Sequence, residues 1–197
     1  MNLSQIQIAY LFFAYLAAAV PFGVIVSKMV LGKDVRKQGS GNIGATNIAR
    51  MMGKKWGVLV LALDALKGFA VVFVSGYVGD GSLFFANIVA CVAVAAHCYP
   101  IYLKFRGGKG VATALGVIAA LSLTLVGVCF LVFAIILGMT RRMSAGSLAA
   151  ALALPVVAAC FQTPLEPVTG AVITAVIWWK HSENIRRILA GQEPKFF

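Results

Sequence analysis

The sequence predicts an all-α protein: a polytopic bundle of membrane-spanning helices forming a single domain over residues 1–197. Three observations carry this. Hydrophobic residues make up 61% of the chain and charged residues only 12%, whereas soluble domains have roughly 45–50% and about 25%. Apolar runs long enough to cross a bilayer recur along the chain. Of the 17 Lys and Arg residues, all but Lys67 fall in four short polar segments between those runs, the pattern left when basic loops stay on the cytoplasmic side.

Taken in order, Ile6–Ser27 is the first apolar run. No basic side chain precedes it, so it reads as a retained anchor with the N-terminus outside rather than a cleaved signal. Lys33–Lys55 is a polar, basic loop. Trp56–Val78 and Leu83–Leu103 form the next two spans, joined by the acidic turn Gly79-Asp80-Gly81. Lys104–Gly110 follows.

The run Val111–Thr140 can be one long helix or a hairpin of two short ones. The hairpin, turning near Ser122-Leu123-Thr124, keeps Arg141 and Arg142 on the same side as the other basic residues. It is preferred over a five-span arrangement in which the run crosses once. Each arm has about 14 residues and reaches only about 21 Å, which implies a thinned bilayer or a shallow cavity. Ala145–Phe161 and Val168–Trp179 complete seven spans around the turn Thr163–Pro167, with the C-terminus inside.

Composition also limits function. A formal charge of +11 invites a nucleic-acid reading, but the charge forms no basic stripe interleaved with aromatics, so no nucleic-acid partner is expected. Cys91, Cys98, Cys129 and Cys160 lie in apolar runs without a CxxC pair and read as small hydrophobes. No metal-ligand spacing and no serine-centred triad can be assembled, and no cofactor is expected.

Chemistry is concentrated in the polar segments. Gly39-Ser40-Gly41-Asn42-Ile43-Gly44-Ala45-Thr46-Asn47, followed by Arg50, contains GxGxxG. It lacks the preceding strand and the βαβ unit of a dinucleotide fold. Its glycines still let backbone amides approach an anion, and Arg50 offers a fork suited to phosphate.

Lys104-Phe105-Arg106-Gly107-Gly108-Lys109-Gly110, then Val111-Ala112-Thr113, is not a nucleotide-binding P-loop, because Gly110 follows the Gly-Lys pair. A glycine-rich turn opening a helix nonetheless presents unpaired amides and a positive dipole end. Asp64 and Lys67 share one face of the second span, either as a mutually satisfied pair or as a substrate contact. His97 reads as an interhelical hydrogen-bonding group. Ser144 is placed to cap the helix after Arg141-Arg142. After the last span, His181 and Asn184 share a helical face that Arg187 continues.

Together these segments resemble the bacterial acyl-phosphate:glycerol-3-phosphate acyltransferase family. The resemblance covers essentially the whole chain. It rests on Gly39–Asn47 with Arg50, Asp64 and Lys67-Gly68, Lys104 with Gly107-Gly108-Lys109-Gly110, Ser144, and His181-x-Glu183-Asn184-Ile185. One departure is visible: the family's last motif usually reads His-Arg-Glu-Asn, and Ser182 stands in place of that arginine.

The resemblance implies a multi-pass enzyme of the bacterial inner membrane with its site facing the cytoplasm, working as a monomer. The implied reaction moves a fatty acyl group from acyl phosphate to the 1-hydroxyl of glycerol 3-phosphate. Its products are lysophosphatidic acid and phosphate, for phospholipid synthesis.

On that reading Ser40, Asn42, Arg50, Lys104, His181 and Asn184 carry catalysis. Gly41, Thr46, Asn47, Lys67, Gly107, Gly108, Lys109, Gly110, Thr113, Ser144 and Glu183 bind substrate. Such a site requires Asn42, Arg50, Lys109 and Asn184 to converge. A transporter or channel for a small phosphorylated anion is the main rival, but it predicts polar groups through the full depth of the bundle, and only Asp64, Lys67 and His97 are ionisable there.

Overall fold

Helix propensity, capping residues and interrupting Gly and Pro residues divide the chain into ten α-helices, with no strand among the described residues. The structure is a computed structural model that describes residues 3–196. The helices are α1 (Gln5–Ala18), α2 (Phe22–Leu31), α3 (Ala45–Met52), α4 (Lys54–Val78), α5 (Leu83–Cys98), α6 (Val111–Leu121), α7 (Leu123–Thr140), α8 (Met143–Phe161), α9 (Pro167–Lys180) and α10 (Ser182–Leu189).

Five stretches are long and apolar enough to cross a membrane: Gln5–Leu31, Lys54–Val78, Leu83–Leu103, Leu123–Thr140 and Met143–Phe161. The first expected span is interrupted. Pro21 lacks an amide hydrogen and separates α1 from α2, leaving the Val20 carbonyl to accept a hydrogen bond from Lys67 Nζ at 2.8 Å. Apolar α6 and α9, with 11 and 14 residues, would reach about 16 and 21 Å, short of a hydrocarbon core of roughly 30 Å.

The hairpin expected within 111–140 is present, but its arms are unequal, 11 and 18 residues, and the second is long enough to cross a membrane. Ser122 is extended (φ −160°, ψ 115°) and its hydroxyl caps α7 by accepting from the Leu125 amide at 3.3 Å. Lys109, just before α6, and Ser144, just after α7, belong to one short hydrogen-bonded chain through Asn184 and Glu193. An unbroken helix over these 30 residues would hold them about 45 Å apart. The chain therefore reverses at Ser122.

Small residues allow the helices to pack closely, as is usual where lipid replaces water outside. A Cβ on Gly116 of α6 would overlap the Ala65 carbonyl of α4, and one on Gly68 of α4 would overlap the Thr113 carbonyl of α6. The main core joins α1, α4, α5, α6, α8 and α9 through Ala14, Val72, Phe85, Val89, Val117, Leu154 and Ile173. Large apolar side chains such as Phe12, Phe13, Leu66, Phe73, Leu131 and Val156 remain exposed around the bundle, the surface of a protein solvated by hydrocarbon.

The loops sort into two groups. At one end Asn87 donates to the Leu83 and Pro164 carbonyls (2.8 and 2.9 Å) and accepts from the Glu166 amide (2.9 Å), fixing the start of α5 to the 163–167 turn. At the other end the loop before α3, the loop before α6, the start of α8 and the C-terminal segment surround a cavity.

Candidate active site

The cavity has a volume of about 990 Å³ and two chemically distinct parts. Loops together with α3, the start of α8 and α10 provide the polar part: Ser40, Asn42, Thr46, Arg50, Lys109, Ser144, His181, Asn184, Arg187 and Glu193. Helix bodies provide the apolar part, with Val58 and Leu61 from α4, Leu115 and Ile118 from α6, Val126, Phe130 and Phe133 from α7, and Leu154 from α8. The four residues required to converge, Asn42, Arg50, Lys109 and Asn184, all line it.

The loop before α3 is organised by Asn47. Its Nδ2 donates to the Asn42 carbonyl (2.8 Å) and the Gln38 carbonyl (3.1 Å), while Oδ1 accepts from the Ser40 amide (3.0 Å). That side chain lines the cavity but spends its hydrogen bonds on the loop. Asn42 Oδ1 accepts from the Gly44 amide at 2.8 Å, an Asx turn that leaves its Nδ2 donors toward the cavity. The Ser40 and Thr46 hydroxyls and the Arg50 guanidinium have no partner among the described residues and face the same space.

The loop before α6 uses its glycines differently from the sequence reading. The Gly107 and Gly108 amides are not free for an anion: they donate to the Cys98 and His97 carbonyls at 3.2 and 3.1 Å. Cβ atoms there would overlap Pro100 and the His97 ring. These glycines lock the loop onto the end of α5, and lie outside the cavity wall. Lys109 and Gly110 line it, and Gly110 adopts φ +84°, which glycine accepts without strain, as it starts α6.

Lys109 Nζ donates to Asn184 Oδ1, Asn184 Nδ2 donates to Glu193 Oε1 at 2.6 Å, and Ser144 Oγ donates to the same oxygen at 2.6 Å. Arg187 Nε donates to Glu193 Oε2 at 2.7 Å. Burial pushes the Lys109 ammonium down to about 8, with Arg187 and Arg50 adding to the shift and Glu193 and Glu183 opposing it. Burial alone would raise the Glu193 carboxyl, but bonds from Ser144, Arg187 and Asn184 bring it below the usual carboxylate range.

His181 is buried at the end of α9, with Nδ1 2.8 Å from the Ile177 carbonyl. A carbonyl can only accept, so Nδ1 carries the hydrogen and Nε2 remains an acceptor. Burial and the Lys109 charge bring the imidazole down to about 4, so it is neutral at physiological pH.

Ser144 does not cap α8 as expected. Arg142 occupies that position, and the Ser144 hydroxyl, in the first turn, is given to Glu193.

Several candidate residues lie outside the cavity wall. Lys67 forms an ion pair with Asp64 at 2.8 Å, whereas Asp64 itself and His97 reach the cavity. Thr113 is fully buried against Gly68. The Gly41 amide closes a turn on the Gln38 carbonyl at 2.9 Å. Glu183 projects into solvent 3.9 Å from Arg187. Lys104 lines a separate groove with Arg36, Tyr102, Leu103 and Arg106.

Sequence reasoning passed over Glu193 entirely. Its available signal was scarcity: it is one of only six acidic residues, and it sits in the basic C-terminal segment.

The chain matches the family described as glycerol-3-phosphate acyltransferase over residues 8–191. It is 44% identical over 184 residues to a glycerol-3-phosphate acyltransferase of Syntrophotalea carbinolica, covering 93% of this chain and 94% of that one. It is 38% identical over 195 residues to the one from Staphylococcus aureus strain bovine RF122, covering 95% and 96%.

Among solved structures it resembles PlsY (YgiH), described as an integral membrane glycerol 3-phosphate acyltransferase. For the glycerol 3-phosphate form the TM-score is 0.90 at 38% identity, covering 97% of this chain and 96% of that one. For the lysophosphatidic acid form it is 0.87 at 37%, covering 96% and 94%.

Proposed function

The chain belongs to the glycerol-3-phosphate acyltransferase family, and on that premise we propose how its cavity holds both reactants and joins them. The enzyme is an integral membrane acyltransferase of phospholipid synthesis. Its acyl donor is acyl phosphate, its acceptor the 1-hydroxyl of glycerol 3-phosphate, and its products lysophosphatidic acid and phosphate. The observation that carries this reading is the shared cavity. Cationic and amide side chains from the loops before α3 and α6 and from α3 and α10 occupy one part, and helix faces wide enough for an acyl chain form the other.

Two phosphorylated reactants repel each other, so the first task is charge neutralisation. Lys109 and Arg50 supply it, with the open amides of Lys109 and Gly110 and the Asn42 amide group adding donors. The acyl tail lies along Leu61, Leu115, Ile118 and Phe130. The acceptor hydroxyl attacks the carbonyl carbon of the mixed anhydride, the tetrahedral oxyanion is stabilised by the fixed donors, and the phosphate leaves with its bonding pair.

Acyl phosphate is already activated, so positioning can supply much of the rate. The proton passes from the hydroxyl to a phosphate oxygen. His181 Nε2, held neutral, accepts a hydrogen bond from the neighbouring hydroxyl of glycerol 3-phosphate and so orients the acceptor. Lys104, in its outer groove beside Arg106, guides anions toward the cavity.

Sidedness follows from the same charges. In this reading seven spans, with α6 and α9 as short members of a bundle, leave the basic loops and the cavity on the cytoplasmic side of the inner membrane and Asp80 and Glu166 outside, in keeping with the positive-inside rule. We propose further that the protein acts as a monomer.

Incubation of the purified protein with glycerol 3-phosphate and, separately, acyl phosphate, acyl-CoA or acyl carrier protein tests the donor. Lysophosphatidic acid should form only with acyl phosphate, with stoichiometric release of phosphate. Turnover on either thioester alone would overturn the donor assignment. Flux of glycerol 3-phosphate across proteoliposomes without product would favour a transporter.

A further inference from the structure

Two buried carboxylates reach the cavity: Asp64 is paired with Lys67, and Glu193 has no part in the mechanism above. Glu193 lies on the segment after α10, where Gly191 turns the backbone at φ +71° and the Gln192 and Glu193 amides both donate to the Arg187 carbonyl (2.7 and 3.1 Å). The segment is tied again at Phe196, whose amide donates to the Arg141 carbonyl at 2.7 Å. Glu193 is thus held in the cavity wall by backbone on both sides. Although it belongs to the chain's polar C-terminal end, it is only 7% exposed.

We propose that Glu193 is a positioning residue for acyl transfer: it fixes the Asn184 amide so that its oxygen holds the Lys109 ammonium in the cavity, and it fixes the Ser144 hydroxyl alongside. The proposal rests on the functional reading above.

The geometry allows one amide orientation only. Asn184 stands between an ammonium, which can only donate, and a carboxylate, which can only accept. With Nδ2 toward Glu193 and Oδ1 toward Lys109, both contacts are satisfied. A flipped amide would set donor against donor and acceptor against acceptor. Without the carboxylate only the ammonium itself favours the first orientation, the amide loses its anchor on the other side, and Lys109 loses a fixed acceptor. Arg187 completes the support by donating to the second carboxylate oxygen, so the ammonium is aimed by a chain of side chains rather than by its own flexible stem.

The charges facing Lys109 come from several elements. Arg187 and Glu183 belong to α10, Arg50 to α3, Glu193 to the following segment, and His181 to the end of α9. Among them Glu193 and Glu183 favour the charged ammonium, and only Glu193 is buried with it. Removing that charge therefore weakens the hold on the proton as well as on the geometry.

The test uses the full-length enzyme and its E193Q, E193A, K109A and E193A/K109A variants, with kcat and KM measured for glycerol 3-phosphate and for acyl phosphate across pH. E193A should lose on the order of 10- to 100-fold in kcat/KM, and its alkaline limb should move to lower pH. E193Q, which keeps an acceptor of the same shape, should recover part of the loss in rate but not the shift in pH. The losses in E193A and K109A should be strongly non-additive.

A kcat/KM equal to or above that of the unmodified enzyme overturns the proposal, and a lowered KM would recast the carboxylate as a competitor for phosphate. A loss that adds to that of K109A, with an unmoved pH profile, also overturns it and leaves only a structural role. If E193A is recovered poorly, E193Q supplies the same readouts. Failure of the underlying functional reading is distinguished by the unmodified enzyme, which would then make no lysophosphatidic acid from acyl phosphate.

Discussion

Lys67 and Asp64, three residues apart on α4, form a buried ion pair at 2.8 Å, and the same ammonium bonds the Val20 carbonyl exposed by the break before Pro21. The pair therefore joins α4 to the interrupted first hydrophobic stretch. His97 Nδ1 lies 3.6 Å from the same Asp64 oxygen, so α5 is drawn into the arrangement. Removing one member leaves an uncompensated charge in a low-dielectric interior.

Lys67→Met or Asp64→Asn alone should destabilise the protein by about 3 kcal/mol or more. The double variant should recover much of that loss, because neither charge is then buried alone. Thermal unfolding in detergent checks the order. A loss in the double variant equal to the sum of the two single losses would show that the pair is not coupled.

Lys109 carries a prediction whose two signs differ. Its ammonium is brought down to about 8, so its attraction for a phosphate weakens as pH rises through that value. The KM for at least one phosphorylated substrate should climb across the same interval. Stability should move the other way. A lysine with a depressed pKa binds fewer protons folded than unfolded between about 8 and the ordinary 10.5, so folding becomes more favourable as pH rises there. Measuring KM and unfolding on the same pH series separates loss of substrate binding from loss of fold. K109A should abolish both trends and lower kcat/KM by about 100-fold or more.

How much of this was legible beforehand depended on whether a signal was local. The reversal at Ser122 could be read because charge placement on Arg141 and Arg142 demanded it. Convergence of Asn42, Arg50, Lys109 and Asn184 could be expected because each stood in a polar segment assigned to one side. The break at Pro21 lay inside an apolar run whose hydropathy masks it. Gly107 and Gly108 were read as anion cradles because a glycine required for close packing looks the same in sequence as one required for ligand approach. Glu193 escaped because its contact with Ser144 spans 49 residues, a separation over which no periodicity operates.

Gly108 supplies a direct check on the packing role. A methyl group there would overlap the His97 ring, which is fully buried and cannot swing away. Gly108→Ala should force the loop off α5, break the bond to the His97 carbonyl, and cost about 1–3 kcal/mol. Activity should fall further than stability, since Lys109 is the next residue. Gly127→Ala is the control: no atom stands within 4 Å of the added carbon, so both properties should be retained.

Direct transfer makes a final prediction about covalent chemistry. The polar part of the cavity offers Ser40, Thr46, Ser144 and Ser147 hydroxyls; His97 is engaged with Asp64, and the other imidazole in the wall, His181, is brought down to about 4 and is a poor base at neutral pH. A serine without an activating base is a weak nucleophile. The cysteine lining the cavity, Cys129, sits buried among apolar residues of α7, surroundings in which a thiol is inert. Enzyme mixed with labelled acyl phosphate, without glycerol 3-phosphate, and acid-quenched should therefore carry no acyl group on protein. Cys129→Ser should turn over normally, whereas Ser40→Ala should lower kcat by about 10-fold or more through loss of a hydrogen-bond donor to the developing charge. Recovery of a stoichiometric acyl-serine peptide would replace the one-step displacement with a two-step one.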